Sequence, residues 1–139
     1  FDTKEQLLDE MLEPVVLAIE DIVHTTSQPP ESLEDRLILL HRLMSESLDH
    51  AAASLALQVD RNLWRYGTSG RRILASYLRI IELLAGPDPT AESSQRAAAA
   101  VSLAFRAVTT GLDGQGPVTS LESPTGCTVL AICSDVLEP

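Results

Sequence analysis

The sequence has few aromatic residues, only two cysteines and no long hydrophobic run. Phe, Trp and Tyr make up 4% of the 139 residues, whereas alanine and leucine are abundant, and this balance favours packed helices over a β-sandwich or barrel. No apolar run approaches the ~18 residues that a membrane-spanning helix needs. The acidic first residues are also unlike a signal peptide, which has basic residues followed by an apolar segment. We therefore expect a cytoplasmic protein without membrane association.

The two cysteines, Cys127 and Cys133, lie six residues apart on what reads as one helix. They point to different sides of that helix and cannot easily bridge each other. Because the chain has no other cysteine, we expect both to be small core residues in a reducing compartment. An intersubunit disulfide is the alternative.

Basic residues are also scarce: ten Lys and Arg stand against twenty Asp and Glu, which gives a net charge of −10. This charge argues against nucleic-acid binding by the chain itself, since phosphate neutralisation needs clustered Lys and Arg. The charge is unevenly distributed, with twelve acids and three bases in residues 1–50. Either the arginines between positions 60 and 79 pair with this acidic half, or they form a contact surface for an acidic ligand or a neighbouring domain. The cluster comprises Arg61, Arg65, Arg71, Arg72 and Arg79.

Motifs for catalysis and metal binding are missing. The three histidines, His24, His41 and His50, do not stand in the Glu-x-x-His pairs of di-iron bundles, and no zinc spacing occurs. The segment GTSG before Arg71 lacks the lysine of a phosphate loop, and no serine sits in a nucleophile elbow. We therefore expect no enzyme activity, metal or cofactor, although a helical enzyme of unknown chemistry remains an alternative.

Hydrophobic spacing predicts an all-α domain of about six helices that covers residues 1–139. Pro14 lacks an N–H for the carbonyl of Glu10, and we expect it to bend the first helix without ending it. The fourth helix has a broad apolar stripe and is expected to be central. The turn YGTSG precedes it, and GPDPT ends it. The predicted helices are Thr3 to about His24, Ser32 to about Leu48, Ala51 to about Tyr66, Arg71–Ala85, Thr90 to about Thr110, and one capped by Ser123 and Pro124.

The first residues resemble the junction between the two domains of tetracycline-repressor (TetR/AcrR) family regulators. In that family an aromatic-led turn, followed by Ser or Thr, Lys, Glu and two leucines, opens the helix that leads into the regulatory domain. Asp2 stands where the family commonly has proline or another small residue. The resemblance covers about eight residues, and the rest matches only in layout. The matching residues are Phe1, Thr3, Lys4, Glu5, Leu7 and Leu8.

The resemblance implies the ligand-binding and dimerisation domain of a transcriptional regulator, usually a repressor, without its N-terminal helix-turn-helix domain. Operator DNA is then a partner only through that missing domain. The first helix is expected to couple a bound effector to the two DNA-reading heads of a homodimer. Half-sites one helical turn apart, ~34–36 Å, are the expected target.

The effector is expected to be small and hydrophobic or amphipathic, since methionines adapt to irregular ligands and apolar walls with a few polar anchors are usual in such sites. The candidate ligand-binding residues lie on the first, second, fourth and fifth helices, with Trp64 near the mouth; most of them can equally be plain core residues. They are Met11, Val15, Leu40, His41, Met44, Trp64, Tyr77 and Phe105.

The family pattern places the dimer interface on the last two helices, whose alanine run makes a smooth surface. Packing of these residues within one subunit is the competing interpretation, and a free-standing helical interaction module is the alternative function. The candidate interface residues are Ala98, Ala99, Ser102, Phe105, Val108, Val129, Leu130, Cys133 and Leu137.

Overall fold

The fold, seen in a computed structural model, is an all-α bundle. The structure describes residues 4–59, 67–109, 111 and 118–138, except for the side chains of Glu5, Leu8, Gln58 and Val59. Predictions for Phe1, Thr3, Arg61, Trp64 and Arg65 fall outside these residues. The described part contains six helices and no strand, which confirms the predicted fold class. They are α1 (Lys4–Thr25), α2 (Leu33–Asp49), α3 (Ala51–Val59), α4 (Thr68–Ala85), α5 (Ala91–Thr109) and α6 (Pro124–Leu137).

Local sequence signals set most of the helix ends. The side chain of Ser32 accepts a hydrogen bond from the Asp35 N–H at the start of α2, and Ser123 caps α6 in the same way. Thr90 accepts from the Ser93 N–H at 3.0 Å before α5. Gly86 ends α4 with a φ of 97°, a conformation that favours glycine. These four ends confirm the predictions from sequence.

The start of α4 corrects one prediction. Thr68, Ser69 and Gly70 were expected in a turn, but they form the first turn of the helix, with Gly67 as N-cap. Gly67 offers no side-chain cap, and the side chain of Asp9 in α1 accepts a hydrogen bond from the Ser69 N–H instead, at 3.2 Å. A cap supplied from sixty residues away stabilises a helix start that local sequence does not predict.

The helix α1 continues through Pro14 for 22 residues, as expected of a proline that does not end the helix. Its buried face includes Leu12, Val15 and Ile19, and it packs most extensively against α4. At about 1.5 Å per residue it is about 33 Å long, which is enough to cross a small domain.

The hydrophobic core runs through the bundle, and α4 contributes Ile73, Tyr77 and Ile80 to it. The apolar stripe predicted for α4 is broader than the face that α4 buries, because Leu74 is 40% exposed and Leu78 is 52% exposed. The fully buried positions of α4 follow a single helical face. Among the described residues, α4 is therefore amphipathic, and one of its sides is exposed to solvent.

Candidate effector site and contact surfaces

A polar pair lies inside the core between α2 and α4. Tyr77 is buried beside Ser47, whose Oγ donates a hydrogen bond to the Leu43 carbonyl at 2.9 Å. Burial raises the pKa of Tyr77 to about 12, so the phenol stays neutral. The aromatic rings of Tyr77 and of Phe105 in α5 pack edge to face, with their centroids 5.7 Å apart. A single tyrosine thus connects three helices.

Five of the eight predicted ligand-binding residues belong to this same core. Val15, Leu40, Met44 and Tyr77 are buried, and Phe105 is partly buried against them. Met11 is 41% exposed, and His41 lies on the outer side of α2, so neither joins the cluster. Ser47 was not predicted, because a serine on a helix gives no signal of a partner on another helix. The cluster therefore combines apolar side chains of several helices with one buried pair of hydroxyl groups.

His41 lines an open groove of about 330 Å³ between α2 and α6. Its floor and sides are apolar, and Ile38 beside it is 54% exposed. Leu130, a predicted dimer residue, also lines the groove. The groove is therefore separate from the cluster around Tyr77. Its lining residues are Glu34, Leu37, Ile38, His41, Arg42 and Leu130.

The first turn of α4 is joined to α1 through Asp9. The Asp9 carboxylate accepts from the Ser69 N–H, and the Ser69 hydroxyl donates to the Asp9 carbonyl at 3.1 Å. A carboxylate at a helix N-terminus is stabilised by the helix dipole. The two bonds fix the N-terminal half of α1 to the beginning of α4.

One turn further along α4, Arg72 contacts two acids of α1. Its Nη1 donates to both Glu13 oxygens at 3.0 and 3.1 Å, and its Nε and Nη2 donate to the two oxygens of Glu20. Hydrogen bonds, first to Glu20 and second in size to Glu13, raise the pKa of Arg72 above its ordinary value. Since Glu13 precedes Pro14 and Glu20 follows it, one guanidinium holds both halves of α1.

These contacts settle part of the question raised by the arginine cluster. Arg72 pairs with the acidic first half of the chain, as one interpretation predicted. Arg79 pairs locally with Glu82 at 2.9 Å on the same helix. Arg61 and Arg65 lie outside the described residues.

The predicted dimer residues divide into a buried set and an outer set. Val108, Val129, Cys133 and Leu137 are at most 4% exposed within the single chain, so they offer almost no surface to a second copy. They hold α5 and α6 together in the core, as the competing interpretation proposed. Ala99 and Ser102 are exposed, whereas Ala98, Phe105 and Leu130 are partly buried.

Within the part of the chain that the structure describes, no three His, Cys, Asp or Glu side chains lie close enough together to hold a metal ion. Among the same residues, none of the helices combines the length and apolar character needed to cross a membrane.

Comparison with known proteins gives no relative for this chain: no family, curated protein or solved structure matches it.

Proposed function

We propose that this chain is the effector-binding and dimerisation domain of a TetR-like transcriptional regulator that acts as a repressor. A small hydrophobic or amphipathic molecule binds in the core, shifts α1 and releases operator DNA, which a helix-turn-helix domain preceding α1 holds. The all-α fold supports this proposal, as do the opening residues around Lys4 and Leu7 that resemble the family's domain junction.

One observation carries the mechanism: α4 bears both the central tyrosine and the contacts to α1. Tyr77 reaches Ser47 and Phe105, while Ser69 and Arg72 on the same helix hold α1 on both sides of Pro14. A ligand that separates Tyr77 from Ser47 and moves α4 therefore moves α1 with it. The N-terminal half of α1 can respond differently from the C-terminal half, because Pro14 removes one hydrogen bond between them.

The effector acts only if it binds one conformation better than the other. A typical coupling free energy of about 1–3 kcal/mol changes DNA affinity about five- to 150-fold. A ligand hydroxyl or carbonyl that enters between Tyr77 and Ser47 can form a hydrogen bond with the buried phenol, and the surrounding apolar side chains bind the rest of the molecule.

The test is an electrophoretic mobility shift with the intact regulator on the intergenic DNA upstream of its own gene, challenged with metabolites of the neighbouring operon. We expect one class of amphipathic metabolite to release the DNA. Tyr77→Phe should weaken that release, because it removes the buried hydroxyl and little volume. Leu78→Ala, at the exposed neighbouring position, is the matched control and should respond as the wild type does. No operator binding by the intact protein, with or without metabolites, would overturn the proposal.

Pro14 gives a second test within the same assay. Pro14→Ala restores the hydrogen bond to Glu10 and stiffens α1, so we expect operator release to need more effector. If release by the effector is unchanged in this variant, the proline is only a packing feature.

The exposed groove at Ile38 favours a second candidate, a free-standing helical module that binds another protein. The full reading frame separates the two candidates, because the regulator requires a helix-turn-helix pattern before Phe1.

A further inference from the structure

The outer face of α2 carries an apolar residue between two opposite charges. Ile38 is 54% exposed, Glu34 lies four residues before it and Arg42 four residues after it. Residues four apart lie on the same side of a helix, so the three form one stripe about 12 Å long. All three line the groove of about 330 Å³ that α2 forms with Leu130 of α6.

The two charges of this stripe are not neutralised within the described part of the chain. Neither Glu34 nor Arg42 forms an ion pair there. Arg42 donates one hydrogen bond, from Nη2 to Thr25 Oγ1 at 3.0 Å, which leaves its other guanidinium donors for a partner. Glu34 is exposed in the first turn of α2. A partner with the reverse order of charges therefore matches this face.

We propose that the partner is a second copy of this chain, docked through α2 in antiparallel orientation about a two-fold axis at Ile38. In such an arrangement the residue four before Ile38 faces the residue four after it in the other copy. Glu34 then meets Arg42 of the second copy, and the symmetry forms this pair twice. The stripe is complementary to itself only when the helices run in opposite directions, since a parallel arrangement puts like charges together.

The groove gives Ile38 a place to bind. The side chain of each copy enters the groove of the other, beside Leu37 and Leu130, where it loses its exposure to water. An exposed apolar anchor that fits a pocket and is flanked by polar groups is the usual form of an interface centre. The charged pairs at the rim fix the orientation.

This surface is distinct from the predicted α5–α6 interface at Ala99 and Ser102, and it does not depend on effector binding or operator release. A chain that uses both surfaces associates beyond a dimer. A chain that uses only the α2 surface forms a dimer, and substitutions at Ser102 do not affect that dimer.

Sedimentation equilibrium over a range of concentrations at low ionic strength tests the inference on the 139-residue chain. Glu34→Arg and Arg42→Glu should each weaken association through α2 about tenfold, because two like-charge contacts replace two pairs. The double variant, Glu34→Arg with Arg42→Glu, restores the pairs in reverse and should associate within about threefold of the wild type. Circular dichroism checks that the single variants stay helical.

Ile38→Glu and Leu17→Glu form a matched pair, since Leu17 on α1 is 53% exposed and lies outside the groove. Ile38→Glu should abolish association through α2, and Leu17→Glu should not; circular dichroism checks that both stay helical. Equal association of these two variants overturns the inference, as does a wild-type chain that is monomeric throughout. If Ser102→Arg has no effect while Ile38→Glu does, this inference holds and the predicted α5–α6 interface is wrong.

Discussion

At the scale of single residues, the two cysteines have different surroundings. Cys127 is exposed, whereas Cys133 is buried with its Sγ 3.8 Å from the Ala100 carbonyl. Burial raises the pKa of Cys133 to about 11. The sequence predicted two core thiols, and this is correct for Cys133 and wrong for Cys127. Position along α6 decides the difference, because the two residues face different sides of the helix.

This contrast predicts selective thiol chemistry. Because the thiolate is the reactive form and needs access to reagent, a disulfide-exchange reagent should modify Cys127 rapidly and Cys133 only on unfolding. We expect the reagent to react with one thiol per chain in the native protein and with two thiols per chain in the denatured protein. Cys127→Ser should abolish the rapid phase. Equal rates for the two thiols in the native chain would contradict the packing of α6.

Gly126 is the residue at which a single methyl group should matter most. A Cβ there would lie 2.4 Å from the Ser120 carbonyl oxygen and 2.7 Å from the Leu121 Cα, and these are backbone atoms that cannot turn aside. We expect Gly126→Ala to lower the free energy of unfolding by about 1–3 kcal/mol, as overpacking does.

Urea denaturation measures the effect of this change. Cys127→Ala, at the next and exposed position, is the control and should stay within about 0.5 kcal/mol of the wild type. A Gly126→Ala protein as stable as its control would show that the 120–121 segment does not press against α6.

At the scale of elements, Arg72 and Arg79 offer a comparison on one helix. Arg72 joins α4 to both halves of α1, whereas Arg79 pairs only with Glu82 of its own helix. Since the Arg72 side chain is 35% exposed, water screens its ion pairs, and Arg72→Ala should cost only about 1 kcal/mol of stability. Arg79→Ala should cost about 0.3 kcal/mol.

Hydrogen exchange distinguishes the two roles more sharply than stability does. Amides of α1 next to Pro14 should exchange faster in Arg72→Ala, because both halves of the helix lose their ion pair with α4. In Arg79→Ala they should keep wild-type protection. Unchanged protection of α1 in both variants would mean that the ion pairs of Arg72 do not hold the helix.

The helices show which features local sequence can predict. Ser32, Thr90, Ser123 and Gly86 act within one or two turns of the chain, and the helix ends that they predict are correct. The start of α4 depends on Asp9, sixty residues away, and no local pattern contains that information. The solvent side of α4 at Leu74 and Leu78 was missed for the same reason, since apolar spacing does not reveal which neighbours are present.

At the scale of the whole molecule, the candidate site was partly predictable. Residues chosen for apolar character on helix faces, such as Leu40, Met44 and Tyr77, do meet in one core. Ser47 was missed, and His41 lies in the outer groove, because tertiary packing alone decides which side of α2 each neighbour covers. The predicted interface divides for a related reason: Val129 and Cys133 fill the space between α5 and α6 inside one chain.

We propose that α1 transmits effector binding, and the distance between two copies of α1 in the dimer proposed for the intact regulator tests this directly. Spin labels at Leu7→Cys and, separately, Leu17→Cys lie on opposite sides of Pro14 at exposed positions, in a Cys127→Ser background. We predict that the metabolite that releases the operator changes the distance between the labels at position 7, and changes the distance at position 17 less. If the operator is released while both distances stay the same, α1 does not carry the signal.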